Sequence, residues 1–335
     1  MGNGMNRRRF LQAACSAGAG MGMLAGRPAQ AQLFRFRGGN NGKKDDKGPG
    51  DTAVAAEPPP TEHPRPAPKP PQPAPAHNIE WQLSCAAYSF NRLSLYETIK
   101  KVAGLRLDAI EGFNFQKLHD NPKILFGEDL AANDRKEVRK RLDDAGVKMV
   151  SCYIRKLDSK EIAKRVFEFA KELGIATLVA EPPAKPETYD MLDKLCQEYL
   201  VSLAVHNHPQ PSQYWNPDTL AALVQGRSKW IGACVDTGHW VRSGLDPIAS
   251  LKKFPGRLIT FHLKDLSDFG SKQAECVPFG KGNGNIEGIL TECLRQDFKG
   301  YFGIEYEPYK PENAEKIAMC IEYFVAVTNK LAAST

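Results

Sequence analysis

Several short apolar runs in the second half of the chain end in side chains that can do chemistry. The run at 202–208 ends in His206-Asn207-His208, and the run at 231–236 ends in Asp236 with His239 three positions on. The run at 258–264 carries His262, Lys264 and then Asp265, and the last, at 301–306, carries Glu305 with Glu307 just beyond. Glu181 closes a similar run at 176–181. One isolated histidine is usually structural, but His206, His208, His239 and His262 all fall at strand ends beside carboxylates. Imidazole and carboxylate donors without a thiolate suit a divalent cation such as Mn²⁺, Co²⁺, Zn²⁺ or Mg²⁺. The candidate ligands are Glu181, Asp236, His262 and Glu305, with His206 as a fifth ligand or an acid/base. His239, His208 and Lys264 are placed to bind or protonate substrate oxygens, and Glu307 lies further out on the face of Glu305.

Such groups act together only if the fold brings the strand ends to one place. Strands are expected at 81–90, 107–113, 147–154, 176–181, 202–208, 231–236, 258–264 and 301–306. Helices are expected at 95–105, 134–145, 159–173, 186–199, 217–225, 246–254, 286–295 and 311–331. In the third helix Ile162, Val166, Phe169, Ala170 and Leu173 recur at helical spacing, and Gly174 follows where a left-handed cap is preferred. Eight alternating units in about 255 residues predict a closed (β/α)8 TIM barrel with its site at the C-terminal ends of the strands. A doubly wound open sheet would call for a Gly-rich first turn, whereas Tyr88-Ser-Phe-Asn-Arg92 stands there. The cluster Gly280-Lys-Gly-Asn-Gly284 reads as a flexible flap beside the mouth. Trp215, Trp240 and Tyr88 are candidate apolar walls for a sugar ring. His119 lies in a polar loop and is assigned no role.

The N-terminal segment has a different character. Arg7-Arg8 with Phe10-Leu11 fits a twin-arginine export signal, followed by a short Ala/Gly/Met stretch and a small-x-small site at Ala29-Gln-Ala31. Residues 1–31 are therefore expected to be a signal peptide, with the remainder exported to the periplasm or cell surface. The apolar stretch is too short to span a membrane. Residues 32–78 are rich in Pro, Ala, Gly and charge, with no apolar face to offset ordering entropy, and predict a disordered linker. The barrel domain is expected over 79–335. Eleven Lys/Arg against five Asp/Glu in residues 1–78 carry the whole formal charge of +6, so the remaining chain is neutral. That neutrality speaks against a nucleic-acid partner. Seven cysteines follow the leader, without C-x-x-C spacing, and read as buried single thiols rather than a disulfide framework.

Asp236-x-x-His239, His262-x-Lys264-Asp265 and Glu305 on a last strand resemble the xylose isomerase-like, endonuclease IV-like barrels of sugar isomerases and epimerases, over essentially all of 80–330. In the ketose 3-epimerases of that family a Glu on the fifth strand, an Asp on the sixth, a His on the seventh and a Glu on the eighth hold the metal. The resemblance implies Asp236, His262 and Glu305 as ligands, with His239 on a substrate oxygen. The fifth strand departs from this pattern, since His206-Asn207-His208 is more similar to the His-rich strand of inosose dehydratases. The expected activity is metal-dependent proton abstraction next to a carbonyl, through an enediolate, on a small unphosphorylated or oxidised carbohydrate. Isomerisation or epimerisation is the first expectation. Elimination from a keto-sugar, keto-glycoside or inosose is the second, and a non-catalytic carbohydrate-binding barrel is the third.

Overall fold

The computed structural model describes residues 79–334; the leader and linker assigned above lie outside them. The strands are β1 (Trp81–Ala86), β2 (Ala109–Phe113), β3 (Lys148–Ile154), β4 (Thr177–Ala180), β5 (Ser202–His206), β6 (Ile231–Asp236), β7 (Leu258–Leu263), β8 (Asp265–Leu266), β9 (Cys276–Val277) and β10 (Gly300–Ile304). The helices are α1 (Leu95–Gly104), α2 (Ala132–Ala145), α3 (Lys160–Leu173), α4 (Pro186–Tyr199), α5 (Pro217–Val224), α6 (Thr237–Arg242), α7 (Pro247–Leu251), α8 (Ile286–Arg295) and α9 (Asn313–Ala332). Eight parallel strands close in the order β1-β10-β7-β6-β5-β4-β3-β2, with β8 and β9 a separate antiparallel pair. The chain forms the (β/α)8 barrel that its alternation predicts.

Local chemistry explains the boundaries. Ser94 and Glu97 form a reciprocal capping box at the start of α1, and Ser159 caps α3. Gly174 ends α3 at a φ of 73°, in the left-handed region a β-carbon disfavours. The expected first strand is shorter than its apolar run because residues 87–90 turn into a 3₁₀ helix. An apolar layer joins the barrel to its helices. Trp81, Phe261, Phe298, Phe302 and Phe324 pack together there, and the Trp81 indole donates to the Phe298 carbonyl at 2.8 Å. Val179, Ala204 and Cys234 form a separate small-residue cluster with Tyr153 and Ile259. Alternation along a strand puts Ala204 on the same face as His206 and Cys234 on that of Asp236, one layer deeper. The polar groups thus stand on a packed plug. All seven described cysteines are free and buried.

The register aligns the strand ends. Asp236 pairs with His262 across β6 and β7, His262 with Gly303 across β7 and β10, and Glu111 with Ser151 across β2 and β3. The glycine cluster differs from the expected flap. The amides of Gly280 and Gly282 donate to one oxygen of the buried Asp265 carboxylate at 2.9 and 3.0 Å, and Gly284 donates to the other at 2.8 Å. A β-carbon at Gly282 would lie 2.3 Å from the Leu266 carbonyl and 2.5 Å from that carboxylate. The glycines let the backbone wrap an internal anion. Asp265→Ala leaves four amides, those of the three glycines and of Leu266, without their acceptor and should cost about 3 kcal/mol, read from urea unfolding. Hydrogen exchange should then show lost protection confined to Leu266 and residues 276–284; unchanged protection there would contradict this reading.

Candidate metal centre

The Asp236-Thr-Gly-His239 stretch places one carboxylate in two environments. Asp236 Oδ1 caps α6 by accepting the His239 amide at 2.8 Å, while Oδ2 faces the interior of the barrel mouth. Thr237 Oγ1 donates to the Lys264 carbonyl and accepts the Lys264 amide, both at 2.9 Å, stitching α6 to β7. Gly238 lets Lys264 pass: a β-carbon there would stand 2.8 Å from that of Lys264. Asn207 holds the Asp236 backbone from β5, its amide group donating to the Asp236 carbonyl and its oxygen accepting the Asp236 N–H, each at 2.9 Å. His206, one residue earlier, points into the same space.

Around Asp236 Oδ2 the ionisable groups converge. His206 Nε2 is 3.4 Å away, His239 Nε2 3.5 Å, His262 Nδ1 3.9 Å and Lys264 Nζ 2.7 Å. Glu305 Oε2 lies 2.8 Å from His262 Nδ1 and 3.1 Å from Lys264 Nζ. His206, Asp236, His262 and Glu305 each offer one ligand atom, all within 4.8 Å of one another, and all four are buried. His262 Nδ1 lies close to a carboxylate yet has no hydrogen-bond partner. Two donors near each other without a hydrogen bond between them suit a shared cation, and two imidazoles with two carboxylates are a donor set such a cation accepts.

The structure distributes the remaining expected residues around this cluster. Glu181 stands outside it: its carboxylate accepts from Ser212 Oγ at 2.7 Å, lies 3.2 Å from His206 Nδ1, and contacts the His208 ring. The end of β4 therefore supports the imidazoles of β5 and does not converge with Asp236. Lys264 is fully buried, pairing with Asp236, Glu305 and, at 3.1 Å, Glu307. Glu307 also accepts from Arg242 at 2.8 Å. His208 and His239 line a cavity of about 350 Å³, together with Tyr88, Phe113, Phe115 and Tyr153. Trp240 and Trp215 are not among its lining residues. Trp240 follows His239 by one position, about 100° around a helix, and is buried against Phe254 instead.

Glu111 was not foreseen as a site residue. It sits buried on β2, accepts from Ser151 Oγ at 2.7 Å and approaches His262 Nε2 at 2.5 Å. That contact fixes the imidazole with Nδ1 toward Asp236 and Glu305. The signal available was a single acid inside the apolar stretch Ala109-Ile-Glu-Gly-Phe113.

The electrostatics follow from burial working against close charge. Burial alone would raise Asp236 and Glu305, but their neighbours, His239 and the Lys264 ammonium for the first and Lys264 and His262 for the second, hold both well below the usual carboxylate range. Burial would lower His262, yet Cys234, Glu111 and Glu305 raise it well above an ordinary imidazole. His206 is raised too, because Asp236 and Glu181 outweigh its burial. His239 moves down, through burial and the positive charge of Lys264, His206 and His208, against the pull of Asp236. The floor thus holds carboxylates that stay ionised and one imidazole that stays neutral.

A model of the xylose isomerase-like TIM barrel family matches residues 101–323. The chain belongs to that family. Inosose dehydratase 2 of Bacillus cereus (strain ZK / E33L) is 29% identical to this xylose isomerase-like barrel over 131 residues, 35% of this chain and 44% of the relative. The chain thus spans less than half the length of that relative. The crystal structure of an uncharacterised protein from Parabacteroides distasonis superposes with a TM-score of 0.59 at 28% identity, covering 73% of this chain and 98% of that one. A xylose isomerase-like barrel from Mycobacterium smegmatis, in complex with magnesium, gives a TM-score of 0.60 at 17% identity, over 75% and 97% of the two chains. The last likeness is one of fold.

Two outcomes test the centre. Glu111→Gln should weaken divalent-cation affinity by about 10- to 100-fold, measured by calorimetry, with the fold unchanged by circular dichroism. The raised His206 and His262 hold protons that a cation must displace. Affinity should therefore rise with pH up to their titration and fall below it, and calorimetry in buffers of different ionisation enthalpy should show net proton release.

Proposed function

We propose that this barrel is a divalent-metal-dependent enzyme that removes a proton next to the carbonyl of a small, unphosphorylated or oxidised carbohydrate. The observation that carries the reading is the convergence of His206, Asp236, His262 and Glu305 within 4.8 Å at the floor of an aromatic-walled cavity. A cation held by these four residues supplies positive charge that polarises a carbonyl oxygen and acidifies the adjacent C–H bond. The magnesium complex of the Mycobacterium smegmatis barrel supports a divalent ion here.

The cavity's own residues bear on the fate of the proton. Epimerisation uses two opposed bases, whereas the acids lining the cavity are unequal. Glu111 is engaged by Ser151 and His262, and Glu307 by Arg242 and Lys264; Glu305, itself beside His262 and Lys264, is the one cavity-lining acid that also belongs to the four-residue cluster, and we assign it as the base. Two residues past the end of β5, His208 is backed by Glu181, an imidazole–carboxylate pair suited to donating a proton. This asymmetry favours elimination. Glu305 takes the C–H proton, and the C–H electron pair forms the α,β C=C bond, conjugated with the carbonyl, as the β C–O bond breaks and its pair leaves with the oxygen. The departing oxygen takes a proton from His208. The inosose dehydratase likeness supports the same outcome. Isomerisation or epimerisation is the second reading, favoured by the buried Lys264 beside Glu305, since an ammonium there steadies the carboxylate that must return the proton.

Incubation of the metal-loaded protein with free and 3-keto sugars in D₂O separates these readings. Elimination releases the β-substituent, whereas isomerisation incorporates deuterium without release. Glu305→Gln should abolish both. His208→Ala should slow release about 100-fold or more while exchange persists. Neither exchange nor release from the metal-loaded wild type would return the chain to a binding role.

A further inference from the structure

A second hollow, a chamber more open to solvent than the cavity, adjoins it and is not used by the chemistry above. Its volume is about 390 Å³, and it is formed by the segments that follow β3, β4 and β5. Arg155 lines both spaces. So does the pair formed by Glu181 and His208, with His208 facing the cavity and Glu181 the chamber. The partition between the two is therefore made of polar side chains, and the group that would protonate a departing oxygen stands in it.

We infer that this chamber is a subsite for the ring a substrate loses, and that the ligand is a disaccharide or other glycoside of a polyhydroxylated ring. The inference rests on the proposed carbohydrate chemistry and names its substrate class. The first cavity, at about 350 Å³, lies at the small end of ligand clefts, which run from about 300 to 1,000 Å³. Both chambers together extend that space past the reacting carbon. The lining suits a hydroxylated ring: the pyrrolidine rings of Pro182, Pro183 and Pro211 offer apolar surface to C–H faces, and Gln213 and Arg155 offer donors. Gln213 Oε1 accepts the Ala184 amide at 2.8 Å, leaving its NH₂ group without a partner among the described residues.

Arg155 decides the direction of the argument. Its backbone amide is fixed by Asn114 Oδ1 at 2.9 Å, and its guanidinium rests on the Phe115 ring, 4.3 Å from the centroid. Among the described residues no carboxylate pairs with it, whereas the neighbouring Lys156 pairs with Asp158 at 3.4 Å. A planar donor group held at a threshold, with its hydrogen bonds unmade, can bridge hydroxyls on both sides of a glycosidic bond.

Calorimetry on the full chain loaded with Mn²⁺ tests this with matched probes: glucose and cellobiose, galactose and lactose, mannose and mannobiose. At least one disaccharide should bind ten-fold or more tightly than its monosaccharide. Pro183→Trp fills the chamber without removing a backbone donor, and Arg155→Ala removes the threshold donors. Each should bring that disaccharide within about twofold of its monosaccharide. Disaccharides no tighter than monosaccharides, or an advantage that survives both substitutions, would overturn the subsite and leave the carbohydrate reading standing. Mn²⁺ binding with no sugar bound at all would overturn both. A variant that loses Mn²⁺ is disqualified, and the wild-type ratio then decides.

Discussion

The buried Asp236 carboxylate is the constraint on which the rest of the mouth depends. One oxygen is spent on the amide of His239, so the second can face in only one direction. Lys264, His206, His239 and His262 then gather around that second oxygen. An anion without such neighbours would be too costly to bury, and the neighbours would repel one another without it. Asn207, Thr237 and Gly238 follow from the same need: they fix the backbone of the acid, tie it to β7 and clear a path for the ammonium.

Charge compensation also accounts for the layering of the site. Asp236 and Glu305 remain anionic because buried cations sit against them, and those cations are tolerated because the anions are there. Glu111 and Glu181 stand one step back, each on the ring nitrogen of an imidazole that faces away from the shared centre. The small residues Val179, Ala204 and Cys234 beneath exclude solvent from below, which lowers the local dielectric and strengthens each of these pairings.

The sequence made the barrel and most of the centre legible for one reason. Strand ends announce themselves when an apolar run stops at His, Asp or Glu, and Asp236, His262, Glu305 and His206 all do so. Glu111 was hidden because a lone acid in a five-residue strand looks like an edge position, and only closure of the barrel brings β2 across to β7. Helix α6 is absent from the expected elements, since Thr237-Gly238 are weak helix formers and the cap supplied by Asp236 is visible only in three dimensions. Trp240 was misplaced by proximity in sequence, because adjacent helical residues face different ways. Glycines 280, 282 and 284 suggested freedom, whereas their amides are committed to an internal carboxylate.

That commitment divides the rim unequally. On one side, the segment after β7 is nailed by the Asp265 nest, and a β-carbon at Gly280, Gly282 or Gly284 would strike the Tyr323 ring, the Leu266 carbonyl or the Asp265 carboxylate. On the other, the stretches following β3, β4 and β5 are joined through side chains, with Ser212 and His208 on Glu181, Tyr214 on the Pro182 carbonyl and Gln213 on the Ala184 amide, each of which can be exchanged singly. New ligand preferences are therefore most readily grafted onto the second arc, by evolution or by a protein engineer, while the first arc keeps the chemistry in register.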